Sequence, residues 1–76
     1  MNEMTPKARA RVVKERHERD LLALEGVEAV GLGRLHGEPA IRIYVDHGAE
    51  SAIANIPPSL DGIPVVIKES GVFQAL

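Results

Sequence analysis

Between Gly26 and His47 the chain alternates apolar and polar positions with a period of two. Ile41, Ile43 and Val45 interleave with Arg42, Tyr44 and Asp46, the pattern of a strand with one face in a core. Val30 and Leu32 supply matching positions ahead of a turn signal at His36-Gly37, so the stretch predicts a β-hairpin. Upstream the period lengthens. Thr5-Pro6 reads as a helix start, with threonine as N-cap and proline where no hydrogen bond is lost. Ala10, Val13, His17, Leu21 and Leu24 then fall on one stripe at about 100° per residue. Gly26 is the stop signal.

Downstream, His47-Gly48 breaks the second strand. A short helix over 49–56 would bury Ala52, Ile53 and Ile56, and Pro57-Pro58 ends it. Ser59 to Gly62 predicts a turn, and Ile63 to Glu69 a third strand with Val65 and Ile67 facing the core. The fold class expected is α+β in the order α-β-β-α-β, with a mainly antiparallel three-stranded sheet and both helices on the Ile41, Ile43, Val45 face. A spatial order of 2-1-3 makes every neighbour antiparallel and is preferred over the rival 1-2-3, which pairs the second and third strands in parallel. The opposite face, carrying Ala40, Arg42, Tyr44, Val66 and Lys68, is expected to stay uncovered.

The first strand, Val27 to Leu35, contains Gly31 and Gly33, which weaken a strand and leave one face bare. Tyr44 is expected to cover a glycine there by aromatic rescue, in preference to a ligand or partner backbone approaching the gap. Gly31-x-Gly33 lacks the third glycine and the following helix of a dinucleotide fingerprint.

Length limits what such a chain can do. Seventy-six residues make a single domain, 1–76, with residues 1–4 and 72–76 expected to be flexible. Net stability should be about 3 to 5 kcal/mol, and a large enclosed active-site cleft is not expected. With no cysteine there is no disulfide, thiolate metal site or cysteine nucleophile. No signal peptide or membrane-spanning stretch is read in the sequence, so a cytoplasmic location is expected.

Charge is distributed unevenly. Lys7, Arg9, Arg11, Lys14, Arg16 and Arg19 share one segment with only Glu15 and Glu18, giving it +4 against −6 for the rest. Lys7, Arg11 and Lys14 flank the apolar stripe and form a candidate basic patch. Such a patch can bind phosphate backbones, but it reads first as a solvated helix face whose aliphatic stems cover apolar surface. Cations in the first turn also oppose the helix dipole.

Catalytic groups are sparse. His17, His36 and His47 lack metal-ligand spacing, and His17 on the apolar stripe reads as a partly buried core residue. Asp46, His47 and Ser51 contain the letters of a hydrolytic triad, but adjacent strand residues point to opposite faces. No enzyme activity, cofactor, metal or small-molecule substrate is expected.

GVEAVGLG, AIRIYVDH and IPPSLDGIPVVIKESG in succession resemble a small domain of unknown role that precedes trypsin-like serine peptidase domains in bacterial proteins. Gly31, Gly33, Tyr44, Val45, Ile56, Pro57, Asp61, Gly62, Pro64, Val65 and Gly71 occupy the matching positions, over about Gly26 to Gly71. The resemblance transfers no catalytic residue. It implies an accessory role, since the peptidase portion is not in this sequence. The expected function is therefore a non-catalytic protein-interaction module with Arg42, Tyr44, Val66 and Lys68 as the candidate face. Self-association as a two-fold dimer, through that face or along a strand edge, is also expected. The alternative is nucleic-acid binding through the basic helix. It is disfavoured because one tyrosine and one phenylalanine provide no stacking platform.

Overall fold

In a computed structural model, which describes residues 4–69, the first helix begins as its sequence directs. Thr5 is the N-cap, and its Oγ1 accepts the Ala8 N–H at 3.1 Å. Pro6 occupies the first helical position of α1 (Pro6–Leu22). A backbone turn follows, and Gly26 leaves it at φ 98°. A Cβ there would sit 2.7 Å from that of Ala49, so both the dihedral and the packing require glycine. The helix thus stops a turn before Gly26. Of the end segments expected to be flexible, 1–4 and 72–76, all but Met4 lie outside the described residues.

β1 (Val27–Leu35) and β2 (Glu38–Val45) form the expected hairpin. His36 and Gly37, at φ 53° and 82°, make the two-residue turn whose twist matches the strands. α2 is short, Glu50–Ala54, and ends at Asn55 before the prolines. Ser59-Leu60 belongs to a strand of its own. β3 (Ser59–Leu60) pairs antiparallel with β4 (Ile63–Glu69), and Asp61-Gly62, at φ 49° and 84°, forms a second turn of the same kind.

The sheet has four strands in the order β1-β2-β4-β3. This corrects the expected three-stranded, 2-1-3 arrangement. β2 pairs antiparallel with β1 and parallel with β4, with α2 in the crossover. Burial explains the outcome. Ile41, Ile43 and Val45 are fully buried and suit a strand flanked on both sides, whereas β1, interrupted by two glycines, lies at the edge.

Ala10, Val13 and Leu21 of α1 pack with Ile41, Ile43, Val45, Ile56 and Ile63, while Leu24, Val30, Leu32, Val65 and Ile67 close the periphery. Ile53 of α2 also packs against this cluster, so both helices contribute to the same side of the sheet. Among the described residues, no helix or strand lies over the opposite face.

Candidate functional site

On that opposite face the parallel register sets Arg42 beside Val66 and Tyr44 beside Lys68. The four candidate interaction residues thus form one contiguous patch. They adjoin only because β2 and β4 are neighbours. The 2-1-3 order would have put β1 between them.

Across β2 the patch meets β1, where Tyr44 stands opposite Ala29, Arg42 opposite Gly31 and Ala40 opposite Gly33. The glycines behave differently. A Cβ at Gly33 would lie 2.9 Å from Arg42 Nε and 3.1 Å from its Cζ, so the guanidinium occupies that space. A Cβ at Gly31 would meet nothing within 4 Å. The expected covering of a glycine by Tyr44 is thereby corrected. Tyr44 stands diagonal to Gly31 just as Arg42 stands diagonal to Gly33, but only the arginine side chain lies over its glycine. Arg42 Nη1 donates to Tyr44 Oη at 3.4 Å, while Nε is buried without a hydrogen-bond partner. The patch therefore joins a tyrosine ring and a valine to two cations, one of them with an unsatisfied donor.

The basic patch on α1 is less concentrated. Lys14 Nζ donates to Glu18 Oε1 at 3.1 Å, one turn along the helix. Arg11 is exposed, and Lys7 lines an open cleft of about 200 Å³ together with Leu32, Gly33 and Arg34. The structure therefore keeps Lys7, Arg11 and Lys14 on one helix but pairs one of the three charges internally.

One polar cluster was not legible from spacing. Asp61 Oδ2 accepts from Arg16 Nη1 at 3.0 Å and lies 3.1 Å from His17 Nε2. The hydrogen bond from His17 lowers the Asp61 pKa most. Burial opposes the shift, while the charges on His17 and Arg16 and the Arg16 hydrogen bond assist it. His17 is partly buried, as expected, but its imidazole also fastens α1 to the β3-β4 turn. The pairing could be anticipated only by knowing that a strand returns beneath the helix, because Asp61 is more than forty residues from either partner.

The remaining histidines are peripheral. His36 occupies the hairpin turn, and exposed His47 has Nδ1 3.6 Å from Glu69 Oε1 at the far end of the sheet. Nothing is described of the Ser51 side chain, on which the discarded triad depended. Among the described residues, no group of three or more histidine, aspartate or glutamate side chains could hold a metal ion, and no helix is long and apolar enough to cross a membrane. Comparison with known protein families, curated proteins and solved structures finds no match.

Proposed function

We propose that this protein is a non-catalytic interaction module that receives a protein partner on the helix-free face of its sheet. The observation that carries this reading is the register itself, which unites Arg42, Tyr44, Val66 and Lys68 on a face that no described helix or strand covers. Tyr44 and Val66 offer apolar contact, and Arg42 and Lys68 offer charge. Such a surface fits a partner that brings carboxylates to an apolar patch, because charge-assisted bonds to a guanidinium are both strong and directional. The likeness of Gly26 to Gly71 to a peptidase-preceding domain makes a peptidase-like protein one candidate partner.

The nucleic-acid alternative has less support, since Lys14 and Arg16 direct their charge to Glu18 and Asp61. Affinity capture from an extract of the source organism separates the two readings. A bound protein should be retained by the wild type and by Lys7→Glu with Arg11→Glu, and lost with Tyr44→Glu and Lys68→Glu. The opposite dependence, with nuclease-sensitive binding that falls steeply with salt, would overturn the proposal in favour of the basic helix. Absence of any specific protein partner would overturn it as well.

A further inference from the structure

The helix side of the sheet carries a cleft that the partner face does not use. Near the turn of the hairpin, Arg34 of β1 stands opposite Pro39 of β2, and Leu32 stands opposite Ile41. Ile41 belongs to the core beneath α1, so the alternation of side chains places Leu32, Arg34 and Pro39 on that side too. Lys7 and Ala10 lie three residues apart on α1 and share a helix face. Ala10 is fully buried, which turns that face to the sheet. With the Gly33 backbone these residues line an open cleft of about 200 Å³. The short side chain of Ala10 leaves this space, whereas Val13 and Leu21 pack into the core further along the helix.

The cleft holds two cations and, among the described residues, no carboxylate. That is notable in a chain with 11 acidic residues and 9 basic ones. Lys14 and Arg16 have carboxylate partners, but among the described residues Lys7 has none. Arg34 Nη1 donates to the Gly37 carbonyl at 3.3 Å, which anchors the guanidinium at the cleft while its fork carries further N–H groups. Lys7 also sits in the first turn of α1, which has no acidic residue, so its charge opposes the helix dipole. An anion between Lys7 and Arg34 offsets that mismatch and the repulsion of the two cations together. A second cleft shares Pro39 but includes Glu38 beside Arg9 and His36, so it already carries a counter-charge.

We infer that this cleft binds a small organic anion, its carboxylate or phosphate head between Lys7 and Arg34 and its apolar body against Ala10, Leu32 and Pro39. The cations set the sign of the ligand. Volume sets its size, since about 200 Å³ is below the roughly 300 to 1,000 Å³ of sites for drug-sized molecules. A short aliphatic or single-ring anion fits, and a nucleotide does not. The apolar floor distinguishes such a ligand from a bare inorganic ion, which gains nothing from Leu32 and Pro39. The site lies across the sheet from Arg42, Tyr44, Val66 and Lys68 and needs none of them, so it stands or falls apart from the partner face.

Amide-resolved NMR titration at low ionic strength tests the site, with hexanoate as the first probe. It should shift the Ala10, Leu32 and Gly33 signals saturably, with a Kd of about 0.1 to 1 mM, as so small a ligand allows. Hexanamide, of the same shape without the charge, should bind roughly tenfold more weakly. Lys7→Gln and Arg34→Gln should each weaken hexanoate roughly fivefold, while Arg19→Gln, an equal loss of charge in the last turn of α1, should leave it unchanged. Lys7 and Arg34 are exposed, and the same spectra report whether each variant is folded. If Arg34→Gln disturbs the hairpin turn through its lost bond to Gly37, Lys7→Gln still decides. Hexyl phosphate identifies the head group: tighter binding than hexanoate assigns a phosphate monoester and weaker binding a carboxylate, and either supports the site. No saturation below about 10 mM would overturn the inference. So would equal binding of hexanamide, inorganic phosphate binding as tightly as hexyl phosphate, or equal weakening by Arg19→Gln. Shifts confined to Arg42, Tyr44 and Lys68 would overturn it as well, and would move the anion to the partner face.

Discussion

The two strands of one hairpin do opposite work. β2 has strands on both sides and four residues, Ala40, Ile41, Ile43 and Val45, with no solvent exposure. Among the described residues β1 has one neighbouring strand, and Ala29, Arg34 and Leu35 are exposed. Their partnership is antiparallel with only one irregularity, so geometry alone does not separate them. The difference lies in what each sequence can bury. An unbroken alternation of β-branched residues occupies the middle of the sheet, where both edges and one face are used. A strand with two glycines contributes less packing and is left at the rim, with a thin face.

The largest expected effect compares residues that are register partners. Ile43→Ala removes a fully buried side chain from the central strand and should cost about 2 to 5 kcal/mol. That is comparable with the whole stability of so small a domain. Val30→Ala, directly opposite on β1 but only partly buried, should cost about 1 kcal/mol. Urea denaturation of both variants checks the contrast. Equal costs would show that the edge strand carries as much of the core as the centre, and an unchanged midpoint for Ile43→Ala would show that the facing of β2 is inverted.

A smaller effect sharpens the comparison within β1. Neither Gly31 nor Gly33 has a positive φ, so alanine fits the backbone at both positions. At Gly31 a Cβ enters open space, and Gly31→Ala should stabilise the fold by about 0.4 to 1 kcal/mol by restricting the unfolded chain. At Gly33 the same Cβ must displace the Arg42 guanidinium. Thermal melts should therefore show a rise for Gly31→Ala and a smaller or absent one for Gly33→Ala. Equal gains would mean that Arg42 does not rest on Gly33.

How much of this was legible in the sequence follows from the range of each interaction. The Thr5 cap, the start and end of β1 and the inward set Ile41, Ile43, Val45 depend on local period and on capping and turn residues, and the structure has them as the sequence indicates. Ser59-Leu60 became a strand because Asp61-Gly62 alone makes the turn, a distinction between a four-residue and a two-residue loop that composition does not resolve. Strand order depends on contacts between segments far apart in the chain. Preference for antiparallel pairing pointed to 2-1-3, whereas burial of β2 on both sides decided otherwise. The alternation places Arg42, Tyr44, Val66 and Lys68 on one side of two strands, but their contiguity required the β2-β4 register. Asp61 and its partners were missed for the same reason, since no local pattern links a helix face to a turn more than forty residues away.

The smallest expected effect concerns how α1 is fastened above the two strands. Its described long-range ion pairs are with Asp61, in the turn that leads into β4, and so reach the sheet on the side away from β1. Because the His17 hydrogen bond, with help from Arg16, holds the Asp61 pKa below its ordinary value, the ionised carboxylate favours the folded state. That contribution is complete above the ordinary aspartate pKa, where the carboxylate is ionised in both states. It is lost as the pH falls through the lowered value of the folded protein. Asp61→Asn should therefore be less stable than the wild type at neutral pH, and the difference should shrink to nothing in strong acid. The Asp61 side chain is 41% exposed, so added salt should also reduce the difference, and the effect should be the smallest of those considered. Urea midpoints of both proteins from neutral pH down to about pH 2 measure it. A difference that stayed constant across that range would assign the role of Asp61 to its positive-φ turn conformation rather than to its charge, and would leave α1 held over β1 and β2 by apolar packing alone.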